Sequence, residues 1–424
     1  MTDQTPPGYR ALTEKTVPAY LDGLAAIRQR LGGTPADWRV AEVGDGNLNM
    51  VFLVDGPEGA VCVKQSLPYV RSFGEAWRMP LERAYFENCY WSAVGPHVPG
   101  LAPALYHYEP SLFCIVMEKL APHIILRRGL IAGTRYPLIA KHVGDYVARA
   151  CFHTSDLGQP FDDKLDDMAI FAKNHPLIRI TVELVFADPY RVMERNRWTG
   201  PQLDATAAEL RADSALKAAA SRMGHRFLTA PQALIHGDLH SGSVMVTESD
   251  SRVIDSEFAF YGPIGFDTGA FIANLLLSYF AQPGHATKEN DRIAYRAWIL
   301  EQIPIFWNTF RDGFLTLWRT QAKGDAYPTN LFTSAADEAA LEKEREAFID
   351  SVFADTIGFA GCKMIRRLFG FAHVADFDSI KDADMRAGCE KNALALARMM
   401  LVEPHRFKKI DDLLKAARDQ NTDS

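Results

Sequence analysis

Leu234–Ser243 reads LIHGDLHSGS. A short apolar strand runs into a glycine turn and then an acid, Asp238, on a loop from which a carboxylate can face a cleft. A second short strand follows in VIDSE and presents Asp255 and Glu257. Phosphoryl transfer needs one carboxylate to orient or deprotonate the attacking hydroxyl, and others to hold magnesium against the phosphates. Asp238 suits the first role, Asp255 and Glu257 the second. Either motif alone is also what a turn-capping acid or a solvated strand end looks like. Their occurrence together argues for the chemistry.

Further upstream, the turn GDGNLN can bring backbone N–H groups to phosphates, because Gly44 and Gly46 carry no side chains, although such turns are also ordinary hairpins. Lys64 strengthens the reading. It stands inside the apolar stretch AVCVKQS, where an unpaired ammonium would be costly to bury. Phosphates and an acid on the next helix would satisfy it, and Glu82 and Glu87 are the candidates, with Glu87 preferred. The run FCIVMEKL places Glu118, Lys119 and Leu120 where backbone groups could meet an adenine edge; an edge strand ending in a polar turn would read the same.

Downstream, Asp267 opens an apolar helix, where it can cap the N-terminus and reach the backbone of the Asp238 loop. Arg366 and Arg367 sit among apolar residues in CKMIRRLFGFAHVADF, although an adjacent arginine pair is usually a solvated face. Buried beside ATP, two guanidinium groups could grip phosphate and stabilise charge that builds during transfer. His236 and His240 flank Asp238 but lack a third ligand for zinc, so they read mainly as scaffolding of the loop.

At 424 residues the chain exceeds what one core holds, and 48% hydrophobic with 23% charged residues is a globular balance. A net charge of −7 with scattered lysines and arginines offers no footprint for nucleic acid or an anionic membrane. Six cysteines without a CxxC pair read as reduced thiols of a cytosolic protein. The N-terminus lacks the apolar core of a signal peptide, and the longest apolar stretch, Ala270–Ala281, is interrupted by Asn274 and Ser278. Neither export nor a membrane span is expected.

The periodicity predicts one amphipathic helix over about Val17–Leu31, then a three-stranded antiparallel meander within Trp38–Gln65. A helix around Pro80–Ala93 and two apolar runs, Leu105–His107 and Phe113–Met117, extend the sheet to five strands. From Pro122 the pattern is mainly helical, near 137–154, 181–195, 203–228, 286–322, 336–370 and 391–401. Short strands at Ala233–Ile235, Ser243–Val246 and Arg252–Ile254 interrupt it. The expected fold class is α+β, with an N-terminal sheet lobe (1–118), a larger helical C-terminal lobe (119–424) and a cleft between them.

HGDLH with a downstream acidic pair resembles the aminoglycoside and choline kinase superfamily, kin to protein kinases. Four segments in order, GDGNLNMVF, HGDLHSGS, DSEFAFYGPIGFDTG and IRRLFGFAHVAD, spread over about 330 residues, resemble the methylthioribose kinase family in particular. The resemblance implies a two-lobed protein-kinase-like fold and transfer of the ATP γ-phosphate to the anomeric hydroxyl of 5-methylthioribose, within methionine salvage. It implies ATP and magnesium as cofactors and a cytoplasmic homodimer. By motif position Gly46, Asn47, Lys64 and Glu87 would serve ATP, Glu118, Lys119 and Leu120 the adenine, and Asp255, Ser256 and Glu257 the phosphates, with Asp255 and Glu257 on magnesium. Asp238 and Arg366 would meet the sugar's reacting end, with Arg367 beside them. Ser243 departs from the asparagine that kinases usually keep there, and Ser256 stands where the family is expected to have proline, which leaves the number of magnesium ions open. A kinase of choline, homoserine or an aminoglycoside is the alternative, and the arginine pair and FAFYGP argue against it. A non-catalytic pseudokinase would have lost the lysine, the base or the metal acids, all of which are present.

Overall fold

The computed structural model describes residues 6–44, 48–71 and 74–420. They form two compact units, Met1–His123 with Ile254–Ala259, and Ile124–Val253 with Phe260–Ser424. The short insertion 254–259, which groups with the first unit, cannot be expressed as a single cut in the sequence.

In the first unit β1 (Arg39–Glu42), β2 (Asn49–Asp55) and β3 (Ala60–Ser66) form the expected meander. Two further strands, β6 (Leu105–Glu109) and β7 (Cys114–Glu118), complete a five-stranded antiparallel sheet in the order β1-β2-β3-β7-β6. Alternation sorts the side chains of β3. Val61 and Val63 point into a core with Phe52, Val54, Val116 and the helical residues Val17, Leu21, Ile27 and Leu31. Cys62 lies on the opposite face, with Ala84, Ile115 and Met117. Lys64 shares that second face, beside helix α3 (Arg83–Val94).

The single N-terminal helix is corrected to two, α1 (Val17–Asp22) and α2 (Ala25–Leu31), because the chain turns at Gly23 and Leu24 is extended. A hairpin of β4 (Tyr69–Val70) with β5 (Gly74–Arg78) was not foreseen; a two-residue strand gives no period to read.

The second unit begins with β8 (Ile124–Ile125), α4 (Leu126–Ala132) and α5 (Ile139–His153). Its strands are short: β9 (Ala233–Ile235) pairs with β12 (Phe260–Gly262), and β10 (Val244–Val246) lies between β8 and β11 (Ser251–Val253). LIHGDLHSGS thus ends β9 and forms the connection into β10. The predicted helix 181–195 is instead the end of an α-helix at His175–Thr181, a π turn at Val182–Ala187 and a 3₁₀ turn at Asp188–Tyr190, since Pro189 cannot continue an α-helical ladder. The stretch 203–228 divides at Asp213, whose carboxylate caps the second helix by accepting from the Leu216 amide at 2.9 Å.

Helix α6 (Ile264–Ala281) is buried along its whole length. The stretch Ile264–His285 has the length and apolarity of a membrane span, yet its most apolar 18 residues are wholly packed inside the protein, as befits the central helix of a bundle. Against it runs a 35-residue helix, Ala335–Phe369, opened by a capping box at Ser334 and Asp337. The two backbones approach so closely at Gly269 that a Cβ there would meet the Thr356 carbonyl oxygen at 2.6 Å. That contact fixes the long helix against the helix that also carries Asp267.

Candidate active site

In the first unit four predicted residues converge. Lys64 Nζ lies 2.6 Å from Glu87 Oε2 and also binds Asp255 Oδ1. The partner on α3 is Glu87, one helical turn inside, and not Glu82 at its entrance. Glu257 accepts from Asn49 Nδ2 at 3.0 Å and sits 3.1 Å from Arg83 Nε. Oxygens of Glu87, Asp255 and Glu257 all fall within 4.8 Å of one another.

Arg83 was missed. It is fully buried, donates to the carbonyls of Leu67 and Pro80 at 2.8 and 2.7 Å and to that of Leu48, and so ties the start of β2 and the end of β3, which lie side by side, to Glu257. The available signal was spacing: Arg83 and Glu87 are four apart on α3 and share a face.

This cluster holds three carboxylates and two cations. Burial works against charge on Lys64, but Asp255 and Glu87 outweigh it and keep the ammonium protonated. Burial pushes the Glu87 carboxyl up, against the pull of Lys64. Glu257 is raised by burial and then by Asp255. An excess acid among hard oxygen donors is a setting that suits a divalent cation. Asp255 is also held at φ +70°, a region that aspartate and asparagine tolerate better than most residues. Ser256 is buried, and its hydroxyl has no hydrogen-bond partner among the described residues.

Glu118 closes β7, its amide donating to Ala104 O at 2.8 Å, while Lys119 pairs with Asp55 at 2.5 Å. Leu120 follows just beyond the strand. Gly46 and Asn47 lie outside the described residues.

In the second unit the loop around Asp238 is built by hydrogen bonds. Gly237 takes φ +82°, which needs glycine. Asp267 accepts from the amides of His236 at 2.6 Å and Gly237 at 3.1 Å. It serves the loop: α6 begins at Ile264 behind Pro263, so the expected helix cap is not made. His236 Nδ1 accepts from the Asp238 amide, a scaffolding contact. His240 goes further than scaffolding. Its Nδ1 accepts from the Gly242 amide at 2.9 Å, so the neutral ring carries its proton on Nε2, which lies 3.3 Å from Asp238 Oδ2. The Ser243 hydroxyl turns back onto the loop, donating to Asp238 O at 3.0 Å.

Lys363, Arg366 and Arg367 stand at i, i+3 and i+4 on the long helix, hence on one face. Lys363 Nζ lies 3.0 Å from Asp238 Oδ1. Arg366 has Nε and Nη1 buried without hydrogen-bond partners among the described residues. Arg127 braces the loop from behind, donating to Ser241 Oγ at 3.1 Å and Asn274 Oδ1 at 3.3 Å, and sits 3.6 Å from Asp376. Lys363 and Arg127 were both missed. Lys363 was visible as a cation one turn before the arginine pair.

The model of the phosphotransferase enzyme family (APH) matches residues 39–298. A methylthioribose kinase of Escherichia coli O45:K1 is 43% identical over 421 residues, which cover 99% of this chain and 100% of that one. The chain belongs to the methylthioribose kinase family of phosphotransferases. Two methylthioribose kinases of Oryza sativa subsp. japonica are 44% and 43% identical, covering 96% and 97% of this chain and 95% and 96% of their own. The protein is accordingly a small-molecule kinase of mixed α+β architecture.

The charges of this kinase's second cluster are set by one another. Burial alone would raise Asp238, but Lys363, then His240 and Arg366, hold its carboxyl well below the usual range. Burial pushes His240 down to about 4, despite Asp238, so the ring is neutral at neutral pH. Burial, with Arg366 and Arg367, brings Lys363 down to about 8 against the pull of Asp238. The loop depends on Asp267 for its shape. Asp267→Ala leaves the His236 and Gly237 amides unpaired in the core and costs about 2 to 4 kcal/mol, which the urea unfolding midpoint measures.

Proposed function

We propose that this kinase transfers the γ-phosphoryl group of ATP to the anomeric hydroxyl of 5-methylthioribose, giving 5-methylthioribose 1-phosphate for methionine salvage. The observation that carries the choice of sugar is likeness along nearly the whole chain, at 38 to 44% identity, to proteins named methylthioribose kinase. A cytoplasmic homodimer, the form the resemblance implies, belongs to the same reading.

In this reading Asp238 orients the acceptor hydroxyl and takes its proton. An anomeric hydroxyl is more acidic than an ordinary alcohol, and the transition state is loose, so a carboxylate held ionised suffices as a late base. Neutral His240 donates to that carboxylate and fixes its plane. Arg366, with donors not yet engaged, stabilises charge on the transferring phosphoryl group, and Arg367 adds to the positive field. Lys64, held by Glu87, binds ATP phosphate, Gly46 and Asn47 approach it from the turn, and the backbone of Glu118 to Leu120 meets the adenine. Asp255 and Glu257 supply oxygen ligands suited to magnesium, with Ser256 between them, and Ser243 spends its hydroxyl inside the loop. When bound, magnesium neutralises the charge shared by the β- and γ-phosphates.

A coupled ADP-release assay with methylthioribose, choline, homoserine and an aminoglycoside tests the assignment. Turnover of methylthioribose that Asp238→Ala abolishes is expected; robust turnover of another acceptor with none of methylthioribose would overturn the sugar and leave the kinase. Arg366→Ala is expected to lower kcat about 100-fold while KM for ATP changes less than about 2-fold, because the contact forms in the transition state.

A further inference from the structure

Asp238 is gripped on both oxygens, by Lys363 at 3.0 Å on Oδ1 and by His240 at 3.3 Å on Oδ2. The Asp238 side chain is 20% exposed and that of Lys363 only 5%, so the carboxylate reaches solvent while the ammonium stays behind it. Among the described residues Lys363 has no second carboxylate within ion-pair distance. Its other neighbours are the Phe266 ring at 4.3 Å and, one turn on along its own helix, the two arginines. A lysine buried beside two like charges is a poor choice for packing alone, since an apolar residue would fill the space without the desolvation penalty.

We propose that Lys363 is a positioning residue for phosphoryl transfer: its ammonium fixes Oδ1 of Asp238, so that Oδ2 is presented to the acceptor hydroxyl and the carboxylate stays ionised until the proton arrives. This rests on Asp238 being the base. As the acceptor oxygen bonds to the γ-phosphorus and the bond to ADP breaks, the hydroxyl proton passes to Asp238; Lys363 stays protonated throughout.

Several charged groups face the pair: His240 from the loop, Arg366 and Arg367 from the helix of Lys363, Asp267 from α6, and Arg127 from α4 by way of His240. The arginines keep their charge at every working pH, and His240 is neutral above about 4. Lys363, brought down to about 8, is then the group that changes charge on the alkaline side. Below that pH its ammonium holds Asp238 in place; above it the grip is lost and kcat falls.

The test is the pH profile of kcat from about pH 5 to about pH 10 for wild type, Lys363→Met and Lys363→Arg, with saturating MgATP and methylthioribose, or with whichever acceptor the wild type turns over. That choice of acceptor separates failure of this proposal from failure of the sugar assignment. Lys363→Met is expected to lower kcat at neutral pH about 10- to 100-fold with KM for ATP within about 2-fold, and to move the acid limb up by about one pH unit or more. Lys363→Arg, charged throughout, is expected to restore the acid limb and lose the alkaline decline. Should Lys363→Met not fold, the missing decline in Lys363→Arg decides the matter. A wild-type profile in Lys363→Met, or an alkaline decline kept unchanged in Lys363→Arg, would overturn the proposal.

Discussion

Asp238→Asn lowers kcat by about 10²- to 10⁴-fold, the range that loss of a positioned general base produces, and leaves KM for ATP nearly unchanged. Asparagine keeps the shape of the side chain and can still accept from one neighbour. It cannot take a proton, and its amide must then face either the Lys363 ammonium or the His240 Nε2–H, both donors. Lys363 loses its counter-charge but needs little to shed its proton, having already been brought down to about 8. The variant should therefore fold, with a modest loss in its urea midpoint. Steady-state kinetics on folded protein check this, and a loss below about 10-fold would place the base elsewhere.

Asp255→Asn is expected to lower kcat by about 10²- to 10³-fold, the cost of removing one group that stabilises transition-state charge, and to raise the magnesium concentration for half-maximal rate. Asparagine tolerates φ +70°, so the backbone is not strained by the exchange, as it would be with alanine. The change acts on charge. Three carboxylates against Lys64 and Arg83 become two against two, and the excess acid that suits a divalent cation is gone. Glu87, relieved of the Asp255 charge that helps raise it, should ionise at lower pH. Rate against magnesium concentration for wild type and variant checks the claim; coincident curves would remove Asp255 from the metal site.

What the sequence made legible follows from where signals are local. Asp238, Asp255 and Lys64 each sit in a strand or loop whose period and turn residues locate them within one short segment. Lys363 and Arg83 could be placed on their helices, but their roles were not legible, because a buried cation on a helix looks like a surface one until its partner is known. The partner of Lys363 lies 125 residues away in the chain. Glu87 was narrowed to two positions, and the alternation of β3 with the face of α3 decided between them.

The same rule governs the fold. Period-two runs bounded by GDGN, DGPEG and a proline turn gave the five-stranded sheet, whereas the two-residue strand Tyr69–Val70 had no period to show. The helix Ala383–Val402 starts eight residues before the predicted stretch 391–401, at a cap where Asp382 accepts from the amides of Asp384 and Met385. The polar first turns of ADMRAGCEK hid it. At His240 a loop histidine without metal partners suggested scaffolding, and only the hydrogen bond from the Gly242 amide assigns its tautomer and aims its proton at Asp238.

The most direct test of the central claim is phosphorus and carbon NMR of the product that the wild-type protein forms from 5-methylthioribose and MgATP. The reading predicts ADP in equal amount to a single sugar phosphate whose phosphorus couples to the anomeric carbon; no sugar phosphate, or a phosphate on another hydroxyl of the ring, would contradict it.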